Sequence, residues 1–380
     1  MKDGFTEGIP TNSWRVYKRI TLADIFRAHA PAYLAKFGGR MLPSHKRALA
    51  DIMNCRTVAL GGQVYFCEHC QDKRYSYHSC QNRHCPTCGN DQATEWLAKQ
   101  RELLLPANYF MVTFALPAEL RELARRQQKI IYDLFFKASA AALLKLGRDP
   151  KFVGGELGFF GVLQSWTRDL RYHPHIHYLV AGGGLSDDGK QWLSSRENFL
   201  VPVKALSKIF RGKLRDALKQ ADLLKLVPPE VWQKQWVVHC EPVGTGEAVL
   251  KYLAPYIFRV AISNKRLVKS ENGCVTFRYR ESGSKQWKTQ TLVAEEFLRR
   301  FLQHVLPKGF IKVRYYGFLS SRRRARLEKI KTLLQVSPAQ TPPQTQAAED
   351  AAELPVMRCP KCGNVMRLLG DLPRKARLPP

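Results

Sequence analysis

Tyr172-His173-Pro174-His175-Ile176-His177-Tyr178-Leu179-Val180-Ala181 is the stretch around which the chain is organised. A strand presents successive side chains to opposite faces. His173, His175 and His177 therefore share one face, while Ile176, Tyr178 and Val180 fill the gaps and the other face. Two imidazoles side by side on a strand make half of a divalent-metal site. The bland alternative is a strand with histidines on a solvated face. Three in alternation, followed by Gly182-Gly183-Gly184, favour the metal.

Working outward, Gly158 to Trp166 reads as a buried strand that ends within ten residues of the histidines, so the two pair as antiparallel neighbours. It carries Gln164, the first candidate for a third metal ligand; Asp169 and Glu241 are alternatives, and His173 serves as ligand or as a contact to the substrate. His175 and His177 rank first because Ile176 between them can be buried, whereas Pro174 cannot donate to a central ladder. Tyr109 to Pro117 is a further apolar strand, Trp236 to Glu241 another, and Val275–Tyr279 with Thr289–Val293 a hairpin. Helical spacing runs through Glu119–Leu146 and Ala205–Leu226, and from the cap candidate Thr21 to about Leu34. A helix is expected from about Glu247 to Phe258. It puts Tyr252 and Tyr256 on one face, one turn apart. Pro255 kinks it or ends it early. An aromatic pair packed in a core is the bland reading of the two tyrosines. Arg259, Lys265 and Arg266 just beyond favour an anionic surface instead.

The balance of charge points the same way. The 380 residues include 61 Lys and Arg against 32 Asp and Glu, a formal +29. That surplus is the footprint of a polyanion partner. No apolar run approaches the ~20 residues needed to span a bilayer, and no basic-then-apolar secretory pattern opens the chain. No membrane partner is expected. The protein is expected to be cytoplasmic and nucleoid-associated, a setting in which ten cysteines serve metal rather than disulfides.

Cys67-x2-Cys70 and Cys85-x2-Cys88, fourteen residues apart, suit one tetrahedral Zn2+ held by four thiolates. Cys55, Cys80 and His84 then offer a second zinc; alternatively Cys80 packs and the histidines face water or phosphate. Lys73, Arg74, Tyr75, Tyr77 and Arg83 interleave charge with aromatics, as at a DNA contact or a solvated zinc-ribbon face. Arg322-Arg323-Arg324-Ala325-Arg326 is a solvated or a phosphate-contacting face. Val336 to Leu354 has linker composition. Beyond it Cys359-Pro360-Lys361-Cys362 is a single knuckle, half of a ribbon or completed by ligands from elsewhere.

One reaction uses the histidines, the tyrosines, the zinc module and the charge together. A tyrosine phenolate attacks a DNA phosphodiester, with a metal as Lewis acid on the scissile phosphate. The products are a phosphotyrosine linkage and a 3′ hydroxyl. The linkage keeps the phosphodiester energy, and two tyrosines permit two successive attacks. A phenol with an ordinary pKa near ~10 needs help from the metal or neighbouring cations.

At these residues the chain resembles a known family. His175-Ile176-His177 with Tyr252 and Tyr256 is similar to the HUH nucleases, specifically the two-tyrosine rolling-circle transposases of the insertion sequence 91 type. The likeness runs from about Ala23 to Leu334. It includes residues 55–62 (CRTVALGG), 79–86 (SCQNRHCP), 164–184, 259–264 (RVAISN) and 306–310 (LPKGF). It implies an α+β fold: an antiparallel-sheet nuclease core flanked by helices, preceded by a small zinc-binding domain. The implied division is 1–105 helical and zinc-binding (DNA-recognition), 106–335 nuclease, 336–354 disordered linker and 355–380 basic tail with the single knuckle. The resemblance also implies Mg2+ or Mn2+ at His175, His177 and Gln164, structural Zn2+, single- and double-stranded DNA at element ends and target, and self-association. The implied activity is nicking and joining by a rolling-circle route, through a 5′-phosphotyrosine. Tyr252, before the kink, is the expected primary nucleophile. His173, Arg83, Arg259 and Arg266 are the expected DNA contacts. The chain departs from the family pattern at Pro255, where a basic residue is usual, and at Gln164, where His is common. The rival functions are a plasmid rolling-circle replication initiator or relaxase, and a catalytically idle zinc-dependent DNA-binding protein.

Overall fold

The computed structural model describes residues 20–88, 96, 99–245, 260–281, 283–284, 286–335 and 356–374. Helix α1 (Leu22–Phe37) starts at Thr21, which forms a capping box with Asp24, and α2 (Pro43–Met53) follows with proline in its first turn. A hairpin of β1 (Gly62–Cys67) and β2 (Asp72–Tyr77) comes next, then β3 (Asn108–Ala115). The expected helix over 119–146 is two: α3 (Arg121–Arg126) and α4 (Gln128–Gly147), broken at Gln127. At the break Gln128 is drawn inward, where its amide donates to the Gln303 carbonyl at 3.1 Å. The chain continues through β4 (Glu156–Trp166), β5 (Tyr172–Leu185), β6 (Trp192–Ser194), α5 (Val203–Gln220) and β7 (Val238–Thr245). After it come β8 (Leu267–Glu271), β9 (Cys274–Arg280), β10 (Trp287–Val293), α6 (Ala294–Leu302), β11 (Val313–Gly317), α7 (Arg324–Leu333) and β12 (Arg367–Leu372).

The strands form three antiparallel sheets. The largest has the order β11-β4-β5-β3-β7, with β6 on the end of β5. β4 is buried along its whole length, as its unbroken apolar run predicts. On one face α4 and α5 cover Phe110, Val112, Phe114, Ile176, Tyr178 and Val180. On the other, Tyr109, Met111, Phe160, Val162, Leu179 and Ala181 pack with Trp96, Leu105 and the α7 residues Leu327 and Ile330. Tyr178 lies across from Gly161, where a β-carbon would meet its ring at 2.3 Å. The space that glycine leaves lets the Tyr178 hydroxyl reach the Ser139 hydroxyl at 2.7 Å.

A second core joins both halves of the chain. Leu22, Ile25 and Phe26 of α1 and Leu49 and Ile52 of α2 pack with Val275, Phe277, Phe297 and Phe301. Phe26 meets Phe301 edge-to-face at 5.2 Å. Burying each of these aromatics is worth about 1.5–3 kcal/mol. A division at residue 105 therefore does not separate the hydrophobic cores. Part of the 322–326 cluster is structural as well: Arg323 and Arg326 pair with Glu156, whose side chain is only 4% exposed.

His304, 2% exposed, bridges the second core and the main sheet. Its Nε2–H donates to the Leu170 carbonyl and its Nδ1 accepts from the Ser165 hydroxyl, both at 3.2 Å. Burial pushes its pKa down to about 3. Below the ordinary histidine value of ~6.5 the unfolded chain takes up a proton that the folded chain refuses, so stability falls with falling pH down to the folded value. The expected loss from this residue is about 1.4 kcal/mol per pH unit in that window. His304→Gln should flatten the slope of urea-unfolding stability between pH 6.5 and 5.5 by about that amount. An unchanged slope would remove His304 from the account.

Candidate functional site

The histidine strand lies at the centre of the main sheet. Strand register puts Gln164 opposite His175, and Thr113 opposite both His177 and His239. Opposed residues of an antiparallel pair point to the same face. Gln164, Thr113, His175, His177, His239 and Glu241 therefore share one face across four strands, the face that farther along buries Leu179 and Ala181. Gln164 is 3% exposed; both histidines are half-buried, and the His239 side chain is 64% exposed. The site opens where the covering layer stops.

Hydrogen bonds orient the imidazoles. His175 Nδ1 lies 2.6 Å from the His173 carbonyl oxygen. A carbonyl only accepts, so the proton is on Nδ1 and the lone pair on Nε2. His177 Nδ1 lies 2.9 Å from the Thr113 hydroxyl. A ring N–H held by a carbonyl or hydroxyl is the usual arrangement behind a metal-ligating histidine. The two rings are 4.8 Å apart and nearly perpendicular. His239 and Glu241, joined at 3.2 Å, border the same face. The donor set of two imidazoles and a carboxamide fits a divalent cation, with Glu241 on the same face two strands away across β3. Asp169, an alternative ligand, is engaged instead in the β4–β5 turn by the Thr167 hydroxyl and by Arg171, the latter at 2.7 Å.

His173 is half-buried beside the pair, its ring 5.3 Å from that of His175. Burial, together with the nearby His175, Arg121 and Arg171, lowers its pKa to about 4. Arg121 Nε is buried and finds no acceptor among the described residues. Thr113, His239 and Arg121 escaped the sequence reasoning. Thr113 had a signal, as the polar residue that interrupts the apolar run 109–117.

The cysteines group differently from the expected set. Cys67, Cys70, Cys85 and Cys88 do not converge. Cys55, Cys80, Cys85 and Cys88 form one cluster, and Cys67, Cys70, Cys359 and Cys362 another. The physical reason is the β1–β2 hairpin. It carries the Cys67 knuckle at its closed end, away from the loop that holds Cys80 to Cys88. In the first cluster the Cys88 sulfur lies 3.3 Å from Cys55 and 3.5 Å from Cys80. His84 is not a ligand. It is half-buried, its Nε2 accepts from the Leu306 N–H at 3.3 Å, and desolvation lowers its pKa to about 3. The knuckle of the 355–380 tail is not alone, because β12 pairs with β1.

Comparison with known proteins places the chain. It is 38% identical over 370 residues to "Putative transposase y4qJ" of Sinorhizobium fredii, covering 90% of this chain and 92% of the relative. A family model described as "Transposase zinc-binding domain", of the insertion sequence 91 type, matches residues 25–116. The chain belongs to the insertion sequence 91 type transposases. A second transposase model, described as "Putative transposase", matches residues 158–326. The transposase for insertion sequence element IS801 of Pseudomonas savastanoi is 28% identical over 368 residues, covering 90% of this chain and 87% of that one. No solved structure gives a significant match.

This transposase is therefore a DNA-processing protein with an N-terminal zinc-binding domain, and the first thiol cluster lies wholly within that domain's match. Structural Zn2+ follows from the domain and this cluster. Among the described residues no helix is long and apolar enough to cross a membrane. Two expected DNA contacts are used elsewhere in the transposase. Arg83 donates to the Phe310 and Pro307 carbonyls at 2.7 and 3.0 Å. Arg266 donates to the Arg278 carbonyl at 2.9 Å and to that of Arg168, clamping the second core. Tyr252, Tyr256, Pro255 and Arg259 lie outside the described residues, on the segment that follows β7.

Proposed function

We propose that this transposase nicks single-stranded DNA at the ends of its element through a tyrosine nucleophile, and joins strands by a rolling-circle route. The observation that carries the proposal is the shared face of Gln164, His175 and His177, with His175 oriented by a backbone carbonyl. These three residues would hold Mg2+ or Mn2+, with Glu241 on the same face. When bound, the cation would polarise the scissile phosphate and stabilise charge developing on it.

The chain's own residues supply the rest. The His173 carbonyl and the Thr113 hydroxyl hold the two imidazoles in place, and Gln164 is fixed by its burial. Arg121 and Arg171, close enough to His173 to lower its pKa, supply positive charge beside the site. The unpartnered Arg121 Nε suits a phosphate oxygen. The phenolate oxygen of Tyr252 forms the new bond to phosphorus while the bond from phosphorus to the 3′ oxygen breaks. That oxygen leaves as a hydroxyl after taking a proton, and the 5′ phosphate stays on the tyrosine. Tyr256 is then available for the second transfer, on single- or double-stranded target DNA.

The test uses 3′-end-labelled single-stranded oligonucleotides bearing element ends, with Mg2+ or Mn2+, on a denaturing gel. A labelled protein adduct is expected, mapping to the peptide that contains Tyr252. It should disappear with chelator and with the combined Tyr252→Phe and Tyr256→Phe changes. A native-gel shift at several verified ends without an adduct under any metal would favour the binding-only function.

A further inference from the structure

We propose that Cys67, Cys70, Cys359 and Cys362 bind a second structural Zn2+, one that clasps the C-terminal strand β12 onto the N-terminal hairpin. The site lies partly outside both matched transposase regions, since Cys359 and Cys362 follow residue 326. It does not depend on the nuclease chemistry proposed above.

Three observations converge on it. The first is geometric. Zn–S bonds of about 2.3 Å in a tetrahedron set neighbouring sulfurs about 3.8 Å apart. The Cys67 and Cys362 sulfurs are 3.6 Å apart, and those of Cys70 and Cys359 are 3.9 Å apart. Both separations are far longer than a disulfide bond of about 2.05 Å. Each pair takes one sulfur from each knuckle, so the two Cys-x2-Cys turns interleave around one point.

The second observation is the backbone. β12 pairs with β1 over five registered residues, from Gly62 opposite Leu372 to Phe66 opposite Arg367. Gly61, at φ +69°, is approached so closely that a side chain there would meet the Leu372 carbonyl oxygen at 2.5 Å. The chain end is a strand of this sheet, seated on a glycine that accommodates it.

The third is energetic. Around the knuckles only Cys67, Cys359 and Met366 are fully buried. Leu368 and Leu369 of β12 are 46% and 43% exposed. Of the ion pairs Lys361–Asp72 and Arg367–Glu68, three of the four side chains are exposed and only Asp72 is half-buried, so they contribute little. A core this small does not hold a strand by burial alone; small modules of this kind depend on a staple. Four thiolates closing on one ion, with release of their protons, provide it. The ion then connects positions 289 and 295 residues apart in the chain, bypassing the linker-like stretch at 336–354.

The test counts metal in the full-length protein, purified with zinc and freed of loosely bound ions. Elemental analysis is expected to give two Zn2+ per chain. The pair Cys359→Ser and Cys362→Ser should give one, and so should Cys67→Ser with Cys70→Ser. All four changes together should still give one, because both pairs serve the same ion. Retention of two ions without Cys359 and Cys362 would overturn the proposal. So would loss of both ions on changing Cys67 and Cys70, which would return them to a site shared with Cys85 and Cys88. A second readout needs no variant. In the zinc-loaded wild-type protein all four thiols should resist alkylation and become reactive in one phase when chelator is added. Immediate labelling of Cys359 and Cys362, with Cys67 and Cys70 still shielded, would also reject the shared site.

Discussion

Alanine at both His175 and His177 is expected to lower metal-dependent strand cleavage by a factor on the order of 10³ or more, with little change in folding. A Lewis-acidic cation contributes several kcal/mol of transition-state stabilisation, and each ~1.4 kcal/mol is tenfold in rate. The two imidazoles are the oriented nitrogen donors of the site, held by the His173 carbonyl and the Thr113 hydroxyl. Both are half-buried and face the open part of the sheet, while the neighbours that build the core, Ile176 and Tyr178, point the other way. Thermal unfolding and DNA binding should therefore stay near wild type, and calorimetric titration with Mn2+ should lose its high-affinity phase. Cleavage by the double variant at the wild-type rate in saturating Mn2+ would remove these histidines from the mechanism. A large fall in melting temperature would instead make them structural.

Cys85→Ser is expected to have the largest effect on stability. Cys55, Cys80 and Cys85 belong to the second core, packed with Leu49, Ile52 and Leu60. The loop that carries Cys80 and Cys85 is tied to the segment after α6 by Arg83 on the Phe310 and Pro307 carbonyls and by His84 beneath the Leu306 N–H. A four-thiolate Zn2+ site contributes an apparent 10–16 kcal/mol in small zinc modules, as much as the ~5–15 kcal/mol of net stability of a typical domain. Losing one ligand should release the ion and unfold this layer while the main sheet persists. By hydrogen exchange, protection should vanish in α1, α2, β8–β10 and α6, and remain in β3, β4 and β5. A variant that keeps its full zinc content and its protection in α1 would contradict the assignment of this cluster.

Local pattern carried far in this chain because its sheet and helix signals are strong. The unbroken apolar runs at 109–117 and 158–166 became the buried strands β3 and β4, and the Thr21 cap signal became the start of α1. The alternation at 172–181 put the histidines on one face, and Gln164 came opposite His175 because consecutive antiparallel strands pair in a register that the apolar pattern sets. Other features were not legible. Arg83, Arg266, Arg323 and Arg326 look in sequence like phosphate contacts, yet their guanidinium groups bond carbonyls or a buried carboxylate. A long cationic side chain carries no local mark of where its head group ends. The break at Gln127 was hidden for a similar reason, since the Gln303 carbonyl that draws in the neighbouring Gln128 is distant in the chain.

By itself, then, the sequence determined the strand alternation that assembles the histidine face, the presence of thiolate zinc sites and the basic charge suited to DNA. Each is a matter of residue type and spacing within one element. Tertiary structure alone decided which cysteine knuckles converge, that Thr113 and His239 share the face of the histidines, and that β12 joins β1 in one sheet. Those outcomes depend on pairing between segments far apart in the chain, where the free energy lies in strand register and shared burial that no short window of residues encodes.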